Sequence, residues 1–157
     1  MSKLVQEMKF INGAEPKSYA NTAMTAEYVS LKNYNHLTIL IHSGSWAGGT
    51  AAVSLLEATT VAAGSAQALN LETMWTDIAA TGTLVETAVA SDTFNLGTAN
   101  SLWIIEIDAD ELDVDDGYDC VTLVVATPGA NADFYCVEYI LSQPRYAQAT
   151  PPSAIID

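Results

Sequence analysis

The chain has 157 residues, half of them apolar, and a formal net charge of −14 at pH 7. The charge is unevenly spread: residues 1–35 carry four lysines and a net charge of +1, whereas residues 36–157 carry one arginine and a net charge of −15. An acidic body repels nucleic acid and anionic membranes, which are bound through clustered lysine and arginine. The charge therefore favours protein surfaces as partners and excludes polyanion binding.

The length fits one domain with a full hydrophobic core. The high apolar content has two interpretations, a core rich in small residues or an apolar surface buried between subunits. No stretch approaches the ~20 apolar residues of a membrane span. The charged N-terminus also lacks the apolar centre of a signal peptide, so we expect synthesis in a cytoplasm without export.

Residues 1–24 lack a sustained apolar period and contain Gly13 and Pro16. This pattern predicts an extended N-terminal arm that becomes ordered against a partner. The alternative is that this segment packs on its own domain. The arm holds most of the positive charge, and it supplies the candidate contact residues with a partner protein or a neighbouring copy: Lys9, Phe10, Ile11, Lys17 and Tyr19.

The body, residues 25–143, contains about eight apolar segments separated by turn residues. Strands are predicted near 26–31, 36–43, 50–58, 84–89, 93–96, 101–108, 120–126 and 134–141. The clearest alternation places Trp103, Ile105 and Ile107 on one buried face. Residues 65–75 can form a short helix or another strand. The pattern predicts an all-β fold, either an antiparallel β-sandwich or a jelly-roll-like barrel.

The two cysteines lie in the last two predicted strands. If these strands form a hairpin about Pro128 and Gly129, Leu123 opposes Cys136, and Cys120 faces the other side of the sheet. A disulfide requires close Cβ atoms, so none is expected.

Three prolines in residues 144–157 predict an extended C-terminal tail. The alternative is again that this end packs on its own domain. The chain is thus predicted to comprise an arm over 1–24, one domain over 25–143 and a tail over 144–157.

The sequence lacks the usual patterns of a catalytic or metal site. His36 and His42 are about 20 Å apart on one predicted strand, too far to share a metal whose ligands lie about 2 Å away. Ser45 is not flanked by the glycines of a Gly-x-Ser-x-Gly elbow. We therefore expect a protein that is not an enzyme and that has no cofactor and no metal centre.

Two further features leave alternatives open. Residues 108–119 are dense in carboxylates, but an EF-hand loop aligned on Gly117 would begin at Leu112, which cannot bind calcium. This segment is predicted to be a surface connection, with a weak cation site as the alternative. Trp46 lies in a glycine-rich loop, where it can pack against a subunit or stack on a sugar. A carbohydrate-binding β-sandwich is therefore an alternative function.

Several stretches of the body carry a resemblance to a known group of proteins. They are LKNYNHLTILI (31–41), GGTAAVSLLEA (48–58), TFN (93–95), WIIEIDADELDVDDGY (103–118) and YILSQPRYA (139–147). Together they resemble small β-rich structural proteins of tailed bacteriophages, a group that includes head decoration or cement proteins. The resemblance spans roughly residues 28–147.

This resemblance implies a virion protein that binds the outside of the expanded capsid and stabilises it, often as a trimer. Its partners would be the major capsid protein and further copies of itself, after synthesis in the cytoplasm of a bacterial host. An extended arm suits this role, because it can add a strand to a neighbour's sheet edge. Repeated contacts on a lattice also raise occupancy. A head–tail or tail component is the alternative within the virion.

Overall fold

Twelve strands make up much of the part of the chain that this computed structural model describes, residues 3–146 and 150–156. They are β1 (Lys9–Ser18), β2 (Met24–Thr25), β3 (Val29–Ser30), β4 (Tyr34–Ser43), β5 (Ala51–Ala58), β6 (Gln67–Leu69), β7 (Thr73–Asp77), β8 (Val85–Ala88), β9 (Phe94–Leu96), β10 (Leu102–Asp108), β11 (Cys120–Val125) and β12 (Phe134–Pro144). One helical turn, α1 (Leu4–Glu7), precedes β1, and two 3₁₀ turns, Ala109–Glu111 and Val114–Asp116, follow β10. No helix in the described ranges has the length and apolar character needed to cross a membrane.

The strands form two antiparallel sheets. The front sheet has the order β1-β12-β4-β10-β7-β8. The back sheet has the order β2-β11-β5-β6, with β3 also pairing with β11 and β9 with β5. The sheets pack face to face as a sandwich, which confirms the predicted all-β class. The described strands close no barrel.

The core lies between the sheets and follows the alternation of the longer strands. On β4, Leu37, Ile39 and Ile41 are fully buried, while the residues between them are more exposed. On β10, the predicted face of Trp103, Ile105 and Ile107 is buried in the same way. Burying one such aliphatic side chain stabilises the fold by about 1.5–3 kcal/mol, so this alternation fixes which face of each strand points inward.

Every predicted strand is present, and the structure adds shorter ones. Residues 65–75, which the sequence left as helix or strand, contain β6 and the start of β7. Short strands pair only over two or three residues, as β2 does with β11 at Thr25 and Met24. Such strands are too short to show a period in the sequence.

The predicted hairpin between β11 and β12 is wrong. β11 lies in the back sheet beside β5, whereas β12 lies in the front sheet between β1 and β4. Cys136 is therefore paired with His42, and Cys120 with Ala58. The chain crosses from one sheet to the other because both strands have an apolar face that must be buried, and the connection is long enough to span the core. No disulfide joins the two cysteines.

The N-terminal segment is ordered on its own domain. β1 pairs with β12 from Lys9, opposite Leu141, to Ser18, opposite Phe134, with irregular register in between. The predicted arm that orders only against a partner is corrected by this pairing. The physical reason is that Ile11 packs against the core on the inward side of β1.

The described part of the C-terminal tail also contacts the domain. The backbone N–H of Ser30 donates to the carbonyl of Ala154 at 2.7 Å, and the Tyr34 hydroxyl donates to the carbonyl of Pro152 at 2.6 Å. Ala154 is buried. Residues 1–2, 147–149 and 157 of the predicted arm and tail lie outside the described residues.

Candidate interaction surface

The structure places the five predicted contact residues in different environments. Phe10 and Lys17 are exposed, and Lys9 and Ile11 are half-buried along β1. Tyr19 is only 4% exposed, and its ring stacks on Tyr135 with centroids 4.4 Å apart. A surface role for Tyr19 is therefore wrong, because the ring belongs to the core.

Lys17 is held locally on the surface of β1. Its ammonium group donates to the Glu15 carboxylate and lies 5.2 Å from the centroid of the Tyr19 ring. The hydrogen bond to Glu15 raises the pKa of Lys17. Both charged side chains are largely exposed, so this pair contributes little to stability.

The outward face of the front sheet carries a continuous row of apolar side chains, which we call the apolar strip: Phe10, Ile140, Leu40, Ile104 and Trp75. Register makes them neighbours across five strands. Phe10 lies opposite Ile140, and Ile104 lies opposite both Leu40 and Trp75. Ile140 lies opposite Thr38 and is thus diagonal to Leu40, a separation that long side chains bridge. The strip joins the β1 edge of the sheet to β7.

The members of the apolar strip are accessible to a partner. Phe10 is 42% exposed and Trp75 37% exposed, and the other three are partly exposed. A sheet face in contact with water is ordinarily polar, so a row of this length makes this face a candidate interaction surface.

Carboxylates flank the apolar strip. Glu138 and Glu86 occupy cross-strand positions beside Leu40 and Trp75. A depression of about 360 Å³ lies next to the strip, and we call it the acidic depression. Its lining includes Glu72, Glu106 and Glu111. The surface is thus apolar along its middle and negative at its rim.

The two histidines lie on the same outward face, as the alternation of β4 predicts. His36 Nδ1 lies 2.7 Å from Asp108 Oδ1, and its Nε2 lies 3.8 Å from Glu106 Oε1. His42 is paired with Cys136 across β4 and β12. Within the described ranges, no group of three or more histidine, cysteine or acidic side chains is arranged to hold a metal ion.

The acidic run after β10 is a surface connection built from the two 3₁₀ turns. Gly117 ends the second turn with a φ of 87°, a conformation that favours glycine. The connection is anchored where the N–H of Asp113 donates to Glu57 Oε2 at 2.9 Å. Asp115 and Asp116 are exposed to solvent.

Trp46 packs against its own domain. Its indole N–H donates to the carbonyl of Gly49 at 3.0 Å, and its ring lies 6.2 Å from that of Tyr135. It is half-buried against the core. This packing removes much of the ring face that a sugar would stack on, which weakens the carbohydrate-binding alternative.

Asp133, which no sequence pattern singled out, organises the same corner. The side chain is fully buried, and its Oδ1 accepts hydrogen bonds from the backbone N–H groups of Ala47 and Gly48. Burial raises the pKa of the neighbouring Tyr135. This buried carboxylate holds the glycine-rich loop against the start of β12.

Sequence reasoning also missed most of the apolar strip. The available signal was a set of strands with apolar residues on both faces, such as Ile104 between the buried Trp103 and Ile105 on β10. A strand of this kind is buried on one side by the core and needs a second cover on the other.

Comparisons with known proteins give weak likenesses. No protein-family model matches this chain, and no curated protein matches it at a significant level. Among solved structures, it is similar to the SPBc2 prophage-derived protein YomS, with 13% identity and a TM-score of 0.49 over 87% of this chain and 94% of that one. It is also similar to a chain of the disulfide-linked pili of Bacillus endospore appendages (11% identity, TM-score 0.41, 88% and 89% covered) and to the Tobacco streak virus coat protein (9%, 0.40, 97% and 96%). At these identities and TM-scores, the likenesses carry no conclusion about function.

Proposed function

We propose that this chain is a non-enzymatic structural protein of a bacteriophage virion, which binds the outer surface of the expanded capsid as a decoration protein and stabilises it. The observation that supports the proposal best is the apolar strip. The strip is a row of apolar side chains across five strands of an outward sheet face. In an assembly, a neighbouring protein subunit would bury this row and remove it from water. The resemblance of residues 28–147 to phage structural proteins agrees with this role.

The chemistry of the described residues favours binding over catalysis. A hydroxyl, Thr38 Oγ1, lies 3.4 Å from His36 Nε2, and a thiol, Cys136, lies opposite His42 across β12 and β4. Burial, followed by the charge of Glu138, raises the pKa of the Cys136 thiol. A raised pKa disfavours the thiolate that nucleophilic chemistry requires.

In the proposed mechanism, a homotrimer contacts several subunits of the major capsid protein at once. Each contact is modest, but contacts that are joined in one oligomer on a repeating lattice bind with high overall occupancy. The buried interface then resists the outward pressure of packaged DNA. The strong negative charge keeps the protein off that DNA during assembly, since like charges repel.

The experiment is co-sedimentation of the purified protein with expanded and unexpanded heads of the parent phage, followed by heating of the loaded heads. We expect saturable binding to expanded heads, weaker binding to unexpanded ones, and a higher temperature of DNA release when the protein is bound. Binding to neither form of the head, or equal binding to both forms, would contradict the proposal. A few copies bound per head would move the role to the second candidate, a head–tail or tail component.

A further inference from the structure

We infer that the apolar strip and the acidic depression of one copy bind the lysine-bearing N-terminal edge of a second copy. The N-terminal edge consists of Lys3 just before α1, Leu4 and Val5 on α1, and Lys9 at the start of β1. The inference rests on the proposed function and deepens it, because it assigns the surfaces that build the homo-oligomer.

The apolar strip and the acidic depression together are complementary to a partner that is apolar and positively charged. Trp75 and Ile104 present apolar area at the β7 and β10 end of the strip. Glu72, Glu106 and Glu111 line the depression beside them. A lysine placed there would be attracted by the negative charge of this lining, while an aliphatic side chain next to it would cover the strip.

The N-terminal edge has the matching chemistry. Leu4 is 56% exposed and Val5 62% exposed, and no residue of α1 is buried. Lys3 and Lys9 flank them. A single helical turn without buried side chains is poorly stabilised by itself, so docking would also stabilise α1. The rest of the chain is strongly acidic and offers few comparable sites, since residues 36–157 contain a single basic residue, Arg145.

The two surfaces lie too far apart to meet within one copy. β1 is the first strand of the front sheet, and β10 and β7 are the fourth and fifth. At about 4.8 Å per strand, β1 and the strands that border the depression are separated by roughly 14–19 Å. Contact therefore requires two molecules.

Charge also decides how the two copies are arranged. Stacking two identical front sheets would bring Glu86, Glu106 and Glu138 of both copies together, and this like-charge contact is unfavourable. The edge of one copy on the strip of the next is a heterologous contact, which closes into a ring when the rotation between copies permits. In a trimeric ring, the N-terminal edge of each copy would contact the apolar strip of the next copy.

The test is sedimentation velocity of the full chain, without heads, over a range of concentrations. We expect a homo-oligomer whose dissociation constant rises at least about tenfold in Lys3→Glu/Lys9→Glu and, separately, in Glu106→Lys/Glu111→Lys. The quadruple variant carries reversed but complementary charges, and we expect it to recover most of the lost affinity. Lys32→Glu, an exposed lysine outside the edge, is the control and should leave the oligomer unchanged.

A second variant removes apolar area without touching charge. Trp75→Ala changes a partly exposed side chain, so the domain should fold, as circular dichroism would check, while the oligomer weakens. A protein that stays monomeric up to about 100 µM overturns the inference. The inference is also overturned if the charge reversals leave the dissociation constant of the oligomer unchanged, or if the quadruple variant does not regain the lost affinity. Head binding is measured separately. A monomeric protein that binds heads would overturn only this inference. An oligomer whose affinity changes as expected in the charge variants, but which does not bind heads, would overturn only the proposed function.

Discussion

The hydroxyl oxygen of Tyr139, on β12 of the front sheet, accepts a hydrogen bond of 3.2 Å from the backbone N–H of Leu123, on β11 of the back sheet. The bond crosses the core at a gap in the back sheet. β11 pairs with β3 at Cys120–Val121 and with β2 at Val124–Val125, and the N–H of Leu123 lies between these two ladders. A side chain of one sheet thus completes the hydrogen bonding of the other.

Replacing Tyr139 with phenylalanine should destabilise the fold without changing its shape. The N–H of Leu123 would remain buried without its partner, which costs about 1–3 kcal/mol of the free energy of unfolding. Urea unfolding measures this loss. The matched control is Tyr118→Phe, which removes a hydroxyl bonded to the carbonyl of Ser65 near the surface and should change the free energy by less than about 0.5 kcal/mol. Equal losses in the two variants would contradict this account of the core.

Gly13→Ala should also be destabilising, because β1 passes directly over the same tyrosine. A Cβ at residue 13 would lie 2.9 Å from Cε2 of Tyr139, so the ring or the strand must shift. Overpacking of this kind costs about 1–3 kcal/mol, which calorimetry would detect as a lower melting temperature. Gly44→Ala is the control, since its Cβ would make an ordinary contact of 3.6 Å with Phe134. A Gly13→Ala protein as stable as Gly44→Ala would show that β1 is not seated as described.

The docked C-terminal tail can be tested at Ala154. Ala154→Asp would bury a carboxylate where the side chain is 1% exposed, and should lower the free energy of unfolding by about 2–4 kcal/mol or release the tail. Either effect would speed cleavage of the tail in limited proteolysis. Ile155→Asp, at a position 48% exposed, should behave like the unsubstituted protein. Identical cleavage rates for both variants would mean that the tail is not held at Ala154.

Stability should fall in alkaline solution. Burial raises the pKa of five tyrosines: Tyr19, Tyr28, Tyr34, Tyr135 and Tyr139. The folded state therefore keeps phenolic protons that the unfolded state loses near the ordinary tyrosine pKa of 10.0. The stabilisation is complete below that pH and is lost as the pH rises above it.

Urea unfolding between about pH 9 and about pH 11, together with the phenolate absorbance of the native protein, measures this effect. We expect the free energy of unfolding to decrease across the interval, and fewer tyrosines to ionise in the native protein than in urea. A free energy that stayed constant or increased would contradict the burial of these phenols.

The sequence predicted the inward faces of strands better than the partners of strands. Ile39 and Ile105 could be assigned to the core because alternation depends only on local residue order. Pairing depends on which apolar faces meet across the core, so the connection between Val125 and Phe134 was mistaken for a hairpin turn. The Tyr139–Leu123 bond, formed between sheets, has no local signature.

The candidate surface was predicted only in part. Phe10 was identified from the charge asymmetry of the N-terminal segment, and it does lie at one end of the apolar strip. Ile104 and Trp75 were missed, because they become its neighbours only through the register of β10 with β4 and β7. Tyr19 was misassigned, since an aromatic residue in an apparently irregular segment gives no sign of the ring of Tyr135 that covers it.

The most direct test of the central claim is a reconstruction of expanded heads of the parent phage after saturation with the purified protein, with the bound copies counted per shell. The account predicts ordered density on the outer surface at the local threefold sites, with three copies at each site. Bare shells, or density confined to the head–tail vertex, would contradict it.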